Sequence, residues 1–191
     1  MDTSTLSERN LVIEILSRAF DQNQSVNYII RQGSGRDRRI RALMAYSYDL
    51  CRLFGKVFVS EDGKACALVL FPDRKRTTPA SVWLDLKLIT GAIGFSRLFP
   101  TLRREALLTR IRPREPMYYL WFIGVLPACQ HQGLGGRLLD SVLGESRGAG
   151  RPVYLETSTV GNLPWYGKFG FETYHELDTG YRLYFLKRPV R

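Results

Sequence analysis

Apolar positions along the chain fall into two rhythms. Leu6, Leu11, Val12, Ile15, Leu16, Ala19 and Phe20 recur at helical spacing and predict an amphipathic helix over residues 5–20, with Ser7 as its cap. The polar run at 21–27 (DQNQSVN) predicts a turn, followed by a short apolar patch at 28–30. Ile40, Leu43, Met44, Ser47, Leu50, Cys51 and Phe54 predict a second helix over 35–54, stopped by Gly55. Residues 56–60 and 65–71 read as two strands around a turn with Asp62-Gly63 at its centre. Two helices are expected over 81–95 and 96–110. Gly91 and Gly94 weaken their join, and Pro100 is expected at a helix start or break.

The second half is more strongly patterned. Residues 117–125 are dense in apolar and aromatic side chains and read as a buried strand. A short link leads to Gln130-His131-Gln132-Gly133-Leu134-Gly135-Gly136. Leu138, Leu139, Val142 and Leu143 then mark a helix to about 146, ended by glycines at 148 and 150. A strand over 152–157, a short helix over 162–169 and a terminal hairpin of 171–176 with 180–187 complete the chain. On the 152–157 strand, Tyr154 and Glu156 share one face, and Val153, Leu155 and Thr157 the other.

Strand, glycine-rich turn and helix together make an anion site. A helix N-terminus offers unpaired N–H groups and the positive end of the dipole. The Rossmann fingerprint fails, because Leu138 stands where its third small residue is required, and no Walker string is present. Pyrophosphate and similar anions remain open on this reading.

Composition changes the picture little. The 191 residues carry a formal net charge of +10, which suits an anionic partner or plain solubility. Arg31, Arg36, Arg38, Arg39 and Arg41 form a basic cluster, read as a solvated helix face in preference to a nucleic-acid site. Cys51, Cys66 and Cys129 are far apart and odd in number, which argues against zinc, a disulfide framework or a metal cofactor. The N-terminus lacks a signal-peptide pattern. The apolar segment 82–99 is broken by Asp85, Lys87 and Arg97. A cytoplasmic protein without a membrane partner is expected.

Two blocks carry a family resemblance. Gln130-His131-Gln132-Gly133-Leu134-Gly135 resembles the acetyl-CoA loop of the GNAT superfamily of N-acetyltransferases, [Q/R]-x-x-G-x-[G/A]. The segment 152–171 (PVYLETSTVGNLPWYGKFGF) resembles the second GNAT hallmark, with Tyr166, Gly170 and Phe171 in place, and looks most like the puromycin N-acetyltransferase branch. The order of elements also matches. The resemblance implies one α/β (α+β) domain over 1–191. Its mixed, mostly antiparallel central sheet would have about six to seven strands flanked by helices. A helical insert at about 80–110 would precede the central strand.

It also implies a chemistry: transfer of acetyl from acetyl-CoA to a primary amine by direct attack. The backbone of Ile123, Gly124 and Val125 would hold the pantetheine arm at a splay in the sheet, with Gly124 at a bulge. The amides of His131, Gln132, Gly133, Leu134, Gly135 and Gly136 would receive the pyrophosphate. Tyr166 would protonate the departing thiolate. Glu156 could take the amine proton, anchor the ammonium group, or serve only as a structural hydrogen-bond acceptor. The sequence departs from the family at the Asn often found seven residues before the Tyr: Thr159 stands there and Asn162 follows, so both are candidate CoA contacts. His131, where relatives often have Arg or Gly, is not read as a base. Large residues at Tyr118 and Trp121 are expected to narrow the acceptor side. The expected partners are CoA and a small-molecule amine, with the choice of acceptor made by a pocket of residues 20–28, the helical insert and the terminal hairpin. A homodimer is left open. The competing reading is an acyl-CoA-binding module without catalysis.

Overall fold

A computed structural model describes residues 3–190. Its strands form a six-stranded sheet in the order β1-β2-β3-β4-β6-β5, with β1 Gly55–Val59, β2 Ala65–Leu70, β3 Tyr118–Val125, β4 Val153–Thr157, β5 Glu172–Asp178 and β6 Arg182–Arg188. Every pairing is antiparallel except β3 with β4. The two faces carry separate cores. One packs Val12, Ile15 and Leu16 of α1 (Thr3–Ala19) and Leu43, Met44 and Tyr48 of α3 (Arg36–Phe54) against Tyr119 and Tyr154. The other packs Leu138, Leu139 and Val142 of α6 (Leu134–Gly148) and Tyr166 of α7 (Leu163–Lys168) against Tyr118, Leu120, Val153 and Leu155. Strand alternation thus sorts neighbouring residues into different cores.

Most predicted elements are present, and the exceptions have physical causes. The polar run at 21–27 is not a free turn but enters a helix, α2 (Gln24–Ile29). Asn23 caps it by accepting from the Val26 N–H at 3.1 Å, while Arg36 donates to Asp21 and to Asn27 Oδ1. Helix α1 begins at Thr3, so Ser7 lies inside it rather than capping it. Gly55 does end α3, and β1 starts there without a loop. A Cβ at Gly55 would lie 2.0 Å from the Val69 carbonyl oxygen, so only glycine lets the helix end meet β2.

The helical insert comprises α4 (Pro79–Leu88), a π-helical turn at Ile89–Ile93 and α5 (Phe95–Ile111). Pro100 neither starts nor breaks α5. It withholds one donor from the carbonyl of Ser96, an exposed residue near the helix start where water can replace it. The basic cluster is partly structural. Arg36 pairs with Asp21, Arg41 pairs with Glu14, and Arg39 donates to the Arg31 carbonyl. No described helix is long and apolar enough to cross a membrane.

Candidate active site

Strands β3 and β4 are paired only at their beginnings, Tyr118 with Val153 and Tyr119 with Tyr154. Beyond these the strands part, and the remainder of β3 faces a gap on its β4 side. Strand geometry alternates the backbone groups, so half of those along Leu120–Val125 point into that gap. This is the expected splay. Its bulge lies elsewhere than expected: Leu68 pairs with Phe122 and Val69 with Leu120, so Trp121 is the extra residue. Gly124 pairs regularly with Cys66. Its missing side chain serves α1 instead, since a Cβ there would meet Leu16 Cδ2 at 3.0 Å and Ala19 Cβ at 3.1 Å.

The splay opens toward the C-terminal end of β3, where the glycine-rich turn begins. A short 3-10 turn at Pro127–Cys129 leads into it. His131 has φ 62° and Gly133 φ 76°, and His131 alone among the described non-glycine residues has a positive φ. Left-handed residues within such a turn aim successive N–H groups toward one side. Helix α6 then starts at Leu134, and the first backbone bond at its start runs from the Arg137 N–H to the Gly133 carbonyl. Among the described residues, no acceptor meets the backbone N–H of His131, Gln132, Gly133, Leu134, Gly135 or Gly136. That is a cradle of free donors at the positive end of a helix, fit for a pyrophosphate. Gly135 lies against Val125 and Trp165, and Gly136 against Phe169, which ties the cradle to α7.

Tyr166 on α7 is 6% exposed, with its ring against Trp165 and Phe171. Burial alone pushes its phenol above the ordinary value of 10.0, so it stays protonated at neutral pH. No hydrogen bond engages its hydroxyl among the described residues. At the open end of β4, Ser158 Oγ is likewise buried and unpartnered among the described residues. Thr159 and Asn162 follow on the same exposed turn, the Asn162 N–H donating to the Thr159 carbonyl.

Glu156 sits on the opposite face of β4, beside the α1–α3 core. Arg112 Nε donates to its Oε1 at 2.6 Å and Arg112 Nη2 to its Oε2 at 2.9 Å, while the Tyr119 hydroxyl donates to Oε2 at 2.9 Å. Its side chain is 9% exposed. Burial, with Glu156 adding to it against the pull of Arg112, holds the Tyr119 phenol well above its usual range. Arg112 also pairs with Glu105 at 2.7 Å and lies over the Tyr119 ring. Neither Arg112 nor Tyr119 is marked by the sequence: one lies in a charged link, the other in an aromatic run. Tyr118 does not narrow the acceptor side, because it points to the α6 face and packs on Phe71. Trp121 lies on the α3 face against Tyr46.

A cleft of about 290 Å³ opens on that same side of the sheet, lined by Tyr28, Phe99, Arg103, Arg104, Asp178 and Thr179 among others. Its walls come from α2, the helical insert and the β5–β6 turn, the segments expected to shape an acceptor pocket. All three cysteines are free, and burial raises the Cys51 and Cys66 thiols. The described residues hold no cluster of His, Cys, Asp or Glu suited to a metal.

Residues 80–173 match the family model of the acetyltransferase (GNAT) domain. Among solved structures, the chain is similar to a histone acetyltransferase HPA2 and related acetyltransferase from Corynebacterium glutamicum, with TM-score 0.71 and 17% identity over 97% of this chain and 92% of that one. It is similar to the C-terminal condensation domain of Ebony, with TM-score 0.68 and 9% identity over 96% and 94% of the two chains. It also resembles arylalkylamine N-acetyltransferase 2 from Aedes aegypti, with TM-score 0.63 and 16% identity over 97% and 96%. Residues 80–173 thus match the acetyltransferase (GNAT) domain, and the described chain shares the fold of these solved structures.

Proposed function

We propose that the protein is an N-acetyltransferase acting on a primary amine of a small molecule, by direct attack on acetyl-CoA with Tyr166 as general acid. The observation that carries this reading is the convergence of the β3–β4 splay, the free amides of residues 131–136 and a protonated, unengaged phenol on neighbouring elements. The amides of His131–Gly136 receive the pyrophosphate, and backbone groups of Ile123, Gly124 and Val125 hold the pantetheine arm along the gap. Thr159 and Asn162 contact the cofactor from the far side. The amine nitrogen attacks the acetyl carbonyl carbon, the C–S bond breaks, and the thiolate takes the Tyr166 proton. The products are the acetamide and CoA thiol. The amine passes its own proton to water, from which Tyr166 is recharged.

Glu156 acts in this reading as an anchor for the incoming ammonium. Three of roughly four acceptor sites on a carboxylate are already taken by Arg112 and Tyr119, and one remains. A small-molecule acceptor is supported by the resemblance to the puromycin branch and by the modest cleft at Tyr28 and Arg104. Two structural relatives point the same way, one named for arylalkylamines and one solved with beta-alanyl-dopamine.

The test is release of free CoA thiol over a broad panel of primary amines, with the acetylated product confirmed by mass. Turnover with at least one amine, lost in Tyr166→Phe, is expected. Thermal stabilisation by CoA without turnover on any amine would instead favour the acyl-CoA-binding module.

A further inference from the structure

Arg104 is 6% exposed, yet among the described residues no carboxylate pairs with it. Its Nε donates to the Tyr181 hydroxyl at 2.8 Å and one Nη2 hydrogen to Ser25 Oγ at 2.6 Å. The Tyr28 and Tyr181 rings flank its guanidinium carbon at 6.0 and 5.9 Å. All of these partners are neutral. A guanidinium carries five N–H donors, so this set leaves most of the fork free and the charge uncompensated. Buried charges are ordinarily paired, because desolvating a lone cation is costly.

The unspent donors have a place to go. Arg104 lines the 290 Å³ cleft, with Arg103 beside it and Phe99 and Leu107 as apolar walls. Thr179, on the β5–β6 turn, also contributes to the lining, and its Oγ1 is buried without a partner among the described residues. A flat fork with spare donors at a small cleft matches a carboxylate, which accepts two parallel N–H bonds. Tyr181 and Ser25 fix the plane of the fork in advance, so little ordering remains for the ligand to impose.

We propose that this cleft is a carboxylate subsite, and that the amine acceptor is a small zwitterion: an amine bearing a carboxylate and an apolar group. The acceptor role rests on the acetyltransferase reading above; the carboxylate subsite rests on Arg104 and stands apart from it. Arg104 is then a specificity-determining residue; Asp178, in the same lining, opposes any bound anion and is outweighed there by Arg103 and Arg104.

The experiment compares ligands that differ only in the carboxylate. Binding of N-acetylphenylalanine and of N-acetylphenethylamine is measured by calorimetry with CoA present. Turnover is measured with phenylalanine against phenethylamine and with leucine against isoamylamine. The carboxylated ligand should bind at least tenfold more tightly, and that preference should vanish in Arg104→Met and persist in part in Arg104→Lys. Arg110→Met, at an exposed position of α5 outside the cleft lining, should keep it. Equal affinity for the two ligands, no saturable binding of either, or a preference that survives in Arg104→Met overturns the subsite. Carboxylate-selective binding with no turnover on any amine would retain the subsite and remove the acetyltransferase reading. Turnover confined to neutral amines and indifferent to Arg104 would do the reverse. Should Arg104→Met fail to fold by circular dichroism, the wild-type comparison and Arg104→Lys decide.

Discussion

Arg112 grips both carboxylate oxygens of Glu156 across 44 residues of sequence, Nε to Oε1 at 2.6 Å and Nη2 to Oε2 at 2.9 Å. The pair joins the end of the helical insert to the strand that borders the cofactor gap. Its removal therefore has two consequences that can be separated.

Truncating Glu156 strips Arg112 of two charge-assisted bonds and leaves it the more exposed Glu105 alone, which costs about 2 kcal/mol. Glu156→Leu should lower the thermal midpoint by several degrees. Combining it with Arg112→Met should recover much of the loss, because both desolvated charges are then gone. Activity should not return in the double variant, since the acceptor site for the ammonium is absent. Chemical denaturation and amine KM, measured on the same set, distinguish the two effects. A double variant with normal amine KM would remove Glu156 from substrate binding.

Tyr166 invites the opposite pattern. Its hydroxyl takes part in no described hydrogen bond, so Tyr166→Phe should barely change stability. Loss of a general acid should lower kcat by about 10²-fold or more, with CoA affinity unchanged. The pH dependence follows from sign. Burial raises the phenol above 10.0, and the acid form is the working one, so kcat should show no alkaline fall from this group below pH 10. The same shift links to stability. Its contribution is complete below the unfolded value near 10 and is lost as pH rises toward the folded one. Melting scans from about pH 8 to about pH 11 should fall less steeply in Tyr166→Phe, and an alkaline limb near pH 8 that vanishes in this variant would contradict the assignment of burial as the cause.

Gly124 separates packing from cofactor binding. An alanine there would put its Cβ 3.0 Å from Leu16 Cδ2 and 3.1 Å from Ala19 Cβ, pressing α1 off the sheet. Overpacking of this kind costs roughly 1–3 kcal/mol. Ala19→Gly removes one of the two obstacles, so Gly124→Ala should be milder in that background, a coupling measurable by a double-mutant cycle in urea. Strictly additive effects would mean that α1 yields without resistance.

How much of the molecule is legible in its sequence depends on how far apart the partners lie along the chain. The β3-turn-α6 unit is local: an apolar strand, glycines and a helical stripe follow one another directly, and each predicts its own conformation. The faces of β4 are legible for the same reason, since alternation alone sends Tyr154 to one core and Leu155 to the other. Helix α2 is hidden because its polar residues look solvated until Arg36 arrives to hold Asp21 and Asn27. The bulge at Trp121 is hidden because strand register is a property of two strands, and glycine at 124 answers to α1. Arg104 and Arg112 look like any surface arginine of a basic chain. Only the fold reveals that one is buried without an acid and the other spans to Glu156.

The cradle itself can be tested apart from the chemistry. Gly133 has φ 76°, a left-handed conformation that costs a side-chain-bearing residue about 1–2 kcal/mol, more when β-branched. Gly133→Val should move the turn out of that conformation and turn its amides from the pyrophosphate. CoA affinity should fall by about tenfold or more, while kcat at saturating acetyl-CoA changes little, because Tyr166 is held by its own helix and core. Pantetheine, which lacks the pyrophosphate, supplies the control: its affinity should be the same in both proteins. If pantetheine and CoA weaken together, the substitution has disturbed the gap between β3 and β4 rather than the cradle, and the amides of His131–Gly136 lose their assigned role. If neither weakens, the pyrophosphate is held elsewhere.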